Sequence, residues 1–191
     1  MSLAAGINVL PERIAQEYLL FRRDAPSFSI VGQDMTHYIG FIAGRGLYRD
    51  GIFPIELEMT ENYPYDPPIV TIWSKIWHPN LKSKDPPLII HWEGGKPVHW
   101  DFDIHIITSD WLPGNNLLMV IRKLQLLLSC FDNPSVETAF NPNDPINPDA
   151  ARQYKKDVDR FKKTARDWIR TYSTWDNFWT IKNRIVSRPP R

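Results

Sequence analysis

The chain has 191 residues, which suits one domain with short appendages and is long enough to bury a hydrophobic core. Hydrophobic residues make up 42% of it, charged residues 24%, and the formal net charge is +1, so neither a nucleic-acid-binding surface nor a polybasic membrane patch is indicated. The single cysteine, Cys130, excludes an internal disulfide and fits a reducing compartment. No apolar run is long enough to span a bilayer, so we expect no membrane span.

The first half of the chain predicts one helix followed by antiparallel strands. Residues 11–23 are predicted to form a helix because Pro11 suits a first turn and Ile14, Tyr18 and Phe21 fall on one face. Four strand-like segments follow, separated by turns or by a rigid proline-rich loop: residues 28–31, 37–43, 52–59 and 69–73. A helix followed by such a run of strands is typical of an α+β fold.

The second half predicts a hairpin and two long helices. Residues 88–92 and 98–107 are predicted to pair around the turn at residues 93–96. Residues 113–131 form an apolar helical pattern that starts at a proline. Asn147 is a good N-cap for a helix running to about residue 172. The predicted buried stripe of that helix is Tyr154, Val158, Phe161, Ala165 and Trp168.

Five motifs then occur in a specific order and spacing. They are residues 48–53 (Tyr-Arg-Asp-Gly-Ile-Phe), 63–68 (Tyr-Pro-Tyr-Asp-Pro-Pro), 78–80 (His-Pro-Asn), 111–113 (Trp-Leu-Pro) and 141–148 (Asn-Pro-Asn-Asp-Pro-Ile-Asn-Pro). Together with the first helix, which carries Arg13, Ile14 and Glu17, these motifs resemble the ubiquitin-conjugating enzymes over roughly residues 10–172. A Tyr-Pro-x-x-x-Pro motif also occurs in the related RWD domain, but the His-Pro-Asn motif and the closing helices favour the conjugating-enzyme fold.

The resemblance implies a UBC-like α+β fold with an N-terminal helix, a four-stranded antiparallel meander and C-terminal helices. The domain is then expected at residues 10–172, with an insertion at about 81–102. Residues 1–9 form an N-terminal extension, and residues 173–191 form an aromatic and basic C-terminal tail.

The catalytic cysteine of the family has no counterpart at the expected position. That cysteine lies between the His-Pro-Asn motif and the tryptophan; counting back from Trp111 reaches Asp103, and aligning on Gly95-Lys96 reaches Val98 instead. A thiolate is what the thioester chemistry of the family requires. Cys130 follows an apolar helix, where a cysteine usually serves as a small hydrophobic residue. We therefore expect that the chain is not an enzyme and has no catalytic residue.

Two accessory residues remain at matching positions. The resemblance implies that Asn80 would support the active-site loop and the developing oxyanion, and that Asp144 would assist the incoming lysine. The structural alternative is that Asn80 is a turn residue and Asp144 forms an Asx turn. We favour the structural alternative for both, because without a thioester neither role has a reaction to serve.

A possible metal site lies on the second strand of the hairpin. His99, Asp101, Asp103 and His105 alternate and would share one face, whereas His91 would point to the other face if residues 94–95 form a two-residue turn. The simpler interpretation is an amphipathic strand with this polar side in water. We expect no metal and no other cofactor.

Protein partners are the remaining expectation. The resemblance implies partner surfaces at Tyr65 and Pro113, where a ubiquitin ligase or another protein would dock, although both residues would equally serve to brace loops. In the tail, Trp175, Phe178 and Trp179 are large apolar groups that we interpret as a partner-binding element, with the domain core closing before residue 173.

Two functional hypotheses follow from these expectations. The favoured one is a catalytically inactive structural or scaffold subunit of a larger protein assembly, in the cytoplasm or in an organelle such as the mitochondrion. The alternative is a ubiquitin-conjugating enzyme variant that binds ubiquitin or an active conjugating enzyme as a cofactor. Enzymatic activity through Cys130 is a third and less favoured hypothesis. No nucleic-acid partner is expected.

Overall fold

A computed structural model of the protein describes residues 11–93, 96–102, 107, 109–129 and 140–189. The first half contains α1 (Pro11–Asp24), β1 (Phe28–Val31), β2 (Asp34–Ala43), a 3-10 turn (Gly46–Tyr48), β3 (Ile52–Glu58) and β4 (Ile69–Ile72). The second half contains β5 (Leu88–Glu93), β6 (Lys96–Trp100), α2 (Leu117–Leu127), α3 (Pro148–Lys156), α4 (Val158–Tyr172) and α5 (Trp175–Val186).

The six strands form one antiparallel sheet in the order β1-β2-β3-β4-β5-β6. The predicted fold class, an α+β fold with an N-terminal helix, an antiparallel meander and C-terminal helices, is confirmed. The sheet is larger than the expected four strands because the hairpin β5–β6, part of the predicted insertion, pairs with the free edge of β4.

The main hydrophobic core lies between one face of the sheet, which we call the inner face, and helices α1, α2 and α4. Alternate residues of a strand share a face, and on this side they are apolar and fully buried, as Ile42, Ile55 and Leu57 show. Leu124 of α2 and Phe161 of α4 belong to the same cluster. The inner face is therefore the part of the fold that strand alternation predicts directly.

The opposite, outer face of the sheet is covered by α5. The ring of Phe41 on β2 lies 5.2 Å from Phe178 and 4.8 Å from Trp175, and Phe178 is only 2% exposed. The Ile52 amide donates to the Ser173 carbonyl at 2.8 Å, which fixes the start of the tail against β3. The main core does not extend into the tail, since its last member among the described residues is Ile169, but the tail is not free either: α5 adds a second buried layer on the outer face and so belongs to the fold.

A buried polar network joins α1 to the start of α2. The carboxylate of Glu17 is fully buried; it accepts a hydrogen bond from Tyr63 Oη and another from the Leu117 amide at 3.1 Å. Arg13 donates to the same carboxylate at 3.0 Å and to the Pro113 carbonyl at 3.1 Å. Because Glu17 on α1 reaches both the loop that carries Tyr63 and the start of α2, it sets how α1 packs against the loop before α2.

Two helix boundaries differ from the predicted ones because of capping. α2 begins at Leu117 rather than at residue 113, because the Asn116 side chain accepts from the Met119 amide and acts as N-cap. The predicted helix 147–172 is divided in two at Asp157, whose carboxylate caps α4 by accepting from the Arg160 amide. Val158, just after this break, is exposed and does not belong to the buried stripe.

Among the described residues, none of the helices combines the length and the apolar character that crossing a membrane requires.

Candidate functional site

The His-Pro-Asn motif lies in the loop between β4 and β5 and contacts the loop before α3. Asn80 is nearly buried, and its Oδ1 accepts from the Asn141 amide at 2.7 Å. Its Nδ2 donates to the carbonyls of Asn141 and Asp144, each at 3.2 Å. Both Nδ2 protons are thus directed at backbone oxygens, so in this arrangement Asn80 holds the two loops together and offers no donor to a reacting group. Asp144 is exposed, and its carbonyl is one of the acceptors.

His78 is fully buried beneath this clamp. Its Nδ1 accepts from the Asn80 amide at 2.9 Å, and its ring packs against Tyr48 at 5.6 Å and Phe140 at 5.2 Å. Burial lowers the pKa of His78 to about 3, and the Leu127 backbone opposes that change only in part. The ring is therefore neutral at physiological pH and serves as a core residue.

The buried carboxylate of Asp101 joins the two ends of the predicted insertion, residues 81–102, to each other. Lys84 Nζ lies 2.6 Å and Lys82 Nζ 3.3 Å from its oxygens, and the Ile89 amide donates to it at 2.9 Å. Burial disfavours the charge, but Lys84, the Ile89 amide and His99 outweigh that effect and lower the pKa of Asp101 to about 2. Asp101 was expected on the solvated side of the strand; it is buried because the lysines of the preceding loop fold over it.

Phe102 places the end of the predicted insertion beside the His-Pro-Asn motif. It is fully buried and forms an isolated antiparallel bridge with Leu81, the residue after Asn80. The next residue in the chain is Asp103, the position at which the resemblance places the family cysteine. Asp103, the proposed ligand His105 and the single cysteine Cys130 all lie outside the described residues.

The hairpin is confirmed, but its register differs from the predicted one. His91 pairs with His99, and a β-bulge follows between His91 and Trp92. The two histidines therefore share a face, whereas His91 was expected on the other one. His99 Nε2 lies 2.9 Å from Asp101 Oδ2. Of the possible metal ligands on this strand, His99 and Asp101 are described, and the carboxylate of Asp101 contacts this histidine and two lysines.

Tyr65 and Pro113 lie on neighbouring loops at one edge of the domain, because Trp111 Nε1 donates to the Pro64 carbonyl at 2.7 Å. Tyr65 is 58% exposed, Pro113 is exposed, and Leu112 beside it is 65% exposed. Sequence reasoning did not single out Leu112, although its place between Trp111 and Pro113 was the available signal. We call the surface formed by Tyr65, Leu112 and Pro113 the partner edge.

The three aromatic residues of the tail fall on two sides of α5. Phe178 is buried against the sheet, so it is not available to a partner while α5 is in place. Trp175 is 49% and Trp179 52% exposed. The ammonium of Lys182 lies 5.5 Å from the Trp179 ring, which keeps a positive charge beside this exposed surface.

A cluster on the outer face of the sheet was missed. His37 Nε2 lies 2.7 Å from Glu56 Oε1, Trp73 Nε1 donates to Glu56 Oε2 at 2.9 Å, and Arg188 lies 3.0 Å from Oε1. Burial opposes ionisation of Glu56, but these hydrogen bonds and the charge of Arg188 hold its pKa below the ordinary value. Pairing the predicted strands 37–43 and 52–59 brings His37 opposite the end of the second strand, and this was the available signal.

The comparisons with known proteins agree with this geometry. The family model described as ubiquitin-conjugating enzyme matches residues 13–169. A ubiquitin-conjugating enzyme E2 domain from Toxoplasma gondii has a similar structure, with a TM-score of 0.64 and 24% identity over 85% of this chain and 98% of that one. A provisionally assigned ubiquitin-conjugating enzyme from Plasmodium yoelii has the same TM-score and identity over 85% of this chain and 94% of its own.

These findings contradict the expectation that the chain is not an enzyme, because both the matching family model and the similar structures are those of an enzyme family. The two structures, at 24% identity, support the fold. The family model covers most of the chain, from the first helix to the end of α4. The chain therefore belongs to the ubiquitin-conjugating enzyme family.

Proposed function

We propose that this chain acts in ubiquitin conjugation as a structural subunit of a larger protein assembly, which it contacts through the partner edge. The observation that carries the proposal is the exposure of Tyr65 and Leu112 side by side with Pro113. Exposed apolar and aromatic side chains that lie together are typical of protein docking surfaces. A ubiquitin ligase or another subunit is the partner that this edge fits.

The edge is held rigidly, which favours binding. Trp111 fixes the two loops to each other through the Pro64 carbonyl, and Arg13 donates to the Pro113 carbonyl from α1. A surface that is already ordered loses little conformational entropy when a partner docks. The bracing role expected for Tyr65 and Pro113 as an alternative is carried by Trp111 and Arg13, which leaves the Tyr65 ring and Leu112 facing solvent.

The exposed side of α5 supplies a second surface to the proposal. Trp175 and Trp179 are half exposed and lie one helical turn apart, with Phe178 buried beneath them. Burying such rings against a partner stabilises a complex by about 1.5–3 kcal/mol each before ordering costs. A scaffold subunit that bridges two partners would use the two surfaces together.

Isolation of the tagged full-length chain at native abundance tests the proposal. We expect a complex of fixed stoichiometry that is lost in Tyr65→Ala or Leu112→Ala. The matched control is Leu19→Ala, because Leu19 on α1 is 62% exposed and lies outside the partner edge. A chain that elutes as a monomer, or an assembly that keeps both edge variants, would overturn the proposal.

The same isolation separates the second candidate function, a variant that binds ubiquitin or an active conjugating enzyme as a cofactor. That role predicts a transient partner at variable stoichiometry, and this partner should be a conjugating enzyme or ubiquitin itself. The exposed partner edge suits such a partner as well, so stoichiometry and partner identity decide between the two roles.

Thioester chemistry is tested separately, because Cys130 is the only thiol of the chain. A ubiquitin thioester formed by this protein must therefore lie on Cys130. Incubation with activating enzyme, ATP and ubiquitin, followed by a non-reducing gel, measures it. We expect Cys130→Ser to remove any adduct that a reducing agent cleaves; an adduct of that kind persisting in Cys130→Ser would contradict this assignment.

A further inference from the structure

Three potential ligand groups meet on the outer face of the sheet, near the end of the β2–β3 pair. His37 lies directly opposite Glu58, and Glu56 precedes Glu58 by two residues, so all three side chains share this face. One ligand-type atom from each of them lies within 4.8 Å of the others. Three ligands on two paired strands are held by the sheet itself, which is a rigid support for a metal ion.

The chemistry of the set favours zinc. One imidazole nitrogen and two carboxylate oxygens are ligands that zinc accepts in tetrahedral sites, with a fourth position left for water. Calcium and magnesium prefer oxygen ligands alone. Around zinc, neighbouring ligand atoms lie about 3.4 Å apart. The His37–Glu56 distance of 2.7 Å therefore has to open, and the approach of Glu58 has to tighten, by shifts that side-chain rotation supplies.

A cation already occupies the edge of this set. The guanidinium of Arg188, just beyond the end of α5, lies 3.0 Å from Glu56 Oε1 and packs over Trp73. Its side chain is partly exposed, so it can leave the carboxylate without breaking the core. An open cavity of about 750 Å³, lined by His37, Glu58 and Arg188 among others, gives solvent access to two of the three groups, while Glu56 is buried behind them.

We propose that His37, Glu56 and Glu58 form a zinc site, and that Arg188 is the intramolecular cation that competes with the metal for Glu56. Zinc binding then displaces Arg188 and frees the chain beyond α5 from β3. The site lies on the outer face of the sheet and does not depend on the partner edge or on the proposed function.

Zinc titration of the full-length chain against a chromophoric chelator tests the site. We expect one equivalent, lost in Glu58→Gln and in His37→Ala. Arg188→Gln should bind zinc about 2- to 5-fold more tightly, because it removes one competing ion pair. The matched control is Arg184→Gln: Arg184, in the last turn of α5, also lies over Trp73, at 4.6 Å, but is not an ion-pair partner of Glu56, so this variant should leave the affinity unchanged.

The outcomes are decisive in both directions. X-ray absorption of the zinc-loaded protein should show nitrogen and oxygen ligands; sulfur ligation lost in Cys130→Ser would place the metal on the thiol and overturn the proposal. It is also overturned if neither the wild type nor Arg188→Gln binds zinc, or if Glu58→Gln binds as the wild type does. Should His37→Ala fail to fold, Glu58→Gln, at the end of β3, retains the test.

Discussion

The two faces of the sheet are covered in different ways. The inner face is an apolar core, in which Ile55 and Leu57 pack with the helices. The outer face, under α5, combines apolar contacts such as Phe41–Phe178 with a buried carboxylate, Glu56, and with arginines stacked on Trp73. One face is held almost entirely by the hydrophobic effect, the other partly by charge.

This difference explains why one face is visible in the sequence and the other is not. Alternation of apolar and polar residues along a strand identifies the buried face of a sheet only when the other face is polar. On β3 every residue from Ile52 to Leu57 is buried, because both sides are covered. The side that carries Glu56 mixes charged residues with apolar ones such as Ile39 and Phe41, so alternation does not distinguish the two faces and does not predict a covering helix.

Replacing Phe178 should have the largest effect on the outer face. Phe178→Ala removes a fully buried ring that contacts Phe41, and we expect it to lower the free energy of unfolding by about 3–5 kcal/mol. Urea denaturation measures the change. Trp179→Ala, on the exposed side of the same helix, is the control and should cost less than about 1 kcal/mol. Equal effects of the two variants would show that α5 does not seal the outer face.

Replacing Glu17 tests the buried charge on the α1 side, for comparison with Glu56. Glu17→Gln keeps the shape but loses one acceptor oxygen, so it leaves either Tyr63 Oη or the Leu117 amide without its partner. We expect a loss of about 2–3 kcal/mol in the free energy of unfolding. Tyr63→Phe, which removes one donor, should cost less. A change below about 0.5 kcal/mol in Glu17→Gln would mean that the network does not stabilise the junction.

Much of the fold could be predicted because its determinants are local. Periodicity predicts the bounds of α1 and β1 and the existence of the other strands. The capping residues predict where α3 begins. The break at Asp157 was missed because helical periodicity continues across it, and only the capping geometry reveals it. The hairpin register was missed because a β-bulge shifts the pairing after His91, and a bulge has no clear sequence signal.

The candidate site could be predicted only in part. The nearness of Asn80 and Asp144 follows from the resemblance, and the structure joins them through the Asp144 carbonyl. The contact of Glu56 with Arg188 could not be derived, because it joins residues far apart in the chain through a helix whose docking face was unknown. The contact with Trp73 depends on the register of β3 with β4, in which Glu56 lies opposite Thr71. Asp101 differs from expectation, and Leu112 was missed, because exposure and burial depend on neighbouring loops.

The titration of His78 gives a further test of the inner core. Its pKa is lowered from 6.5 to about 3 by burial, so between these values the unfolded chain binds a proton that the folded chain does not. Above pH 6.5, His78 is neutral in both the folded and the unfolded chain and imposes no cost. Below pH 6.5 the free energy of unfolding falls as the pH decreases, by about 1.4 kcal/mol per pH unit. Denaturation at pH 7, 6 and 5 measures the slope.

His78→Gln supplies the comparison for this slope. The variant should show a weaker loss of stability between pH 6.5 and 5, by about 2 kcal/mol over that interval. The test uses only the pH dependence of stability, because the substitution also changes packing against Tyr48 and Phe140 and thereby the stability at pH 7. Parallel slopes for the wild type and the variant would mean that His78 is not held neutral by burial.

The smallest effect concerns the charge that α5 brings to the outer face. The guanidinium of Arg184 lies 4.6 Å from the centre of the Trp73 ring, a distance at which a partly exposed cation–π contact contributes about 0.5–1 kcal/mol. Trp73 also donates to Glu56, so single substitutions would mix two interactions. A double-mutant cycle of Arg184→Gln and Trp73→Leu isolates the pair, with a coupling energy of about 0.5–1 kcal/mol expected from urea denaturation. A coupling of zero would mean that Arg184 does not help to hold α5, and the apolar contacts of Phe178 and Trp175 would then contribute a larger share of its docking.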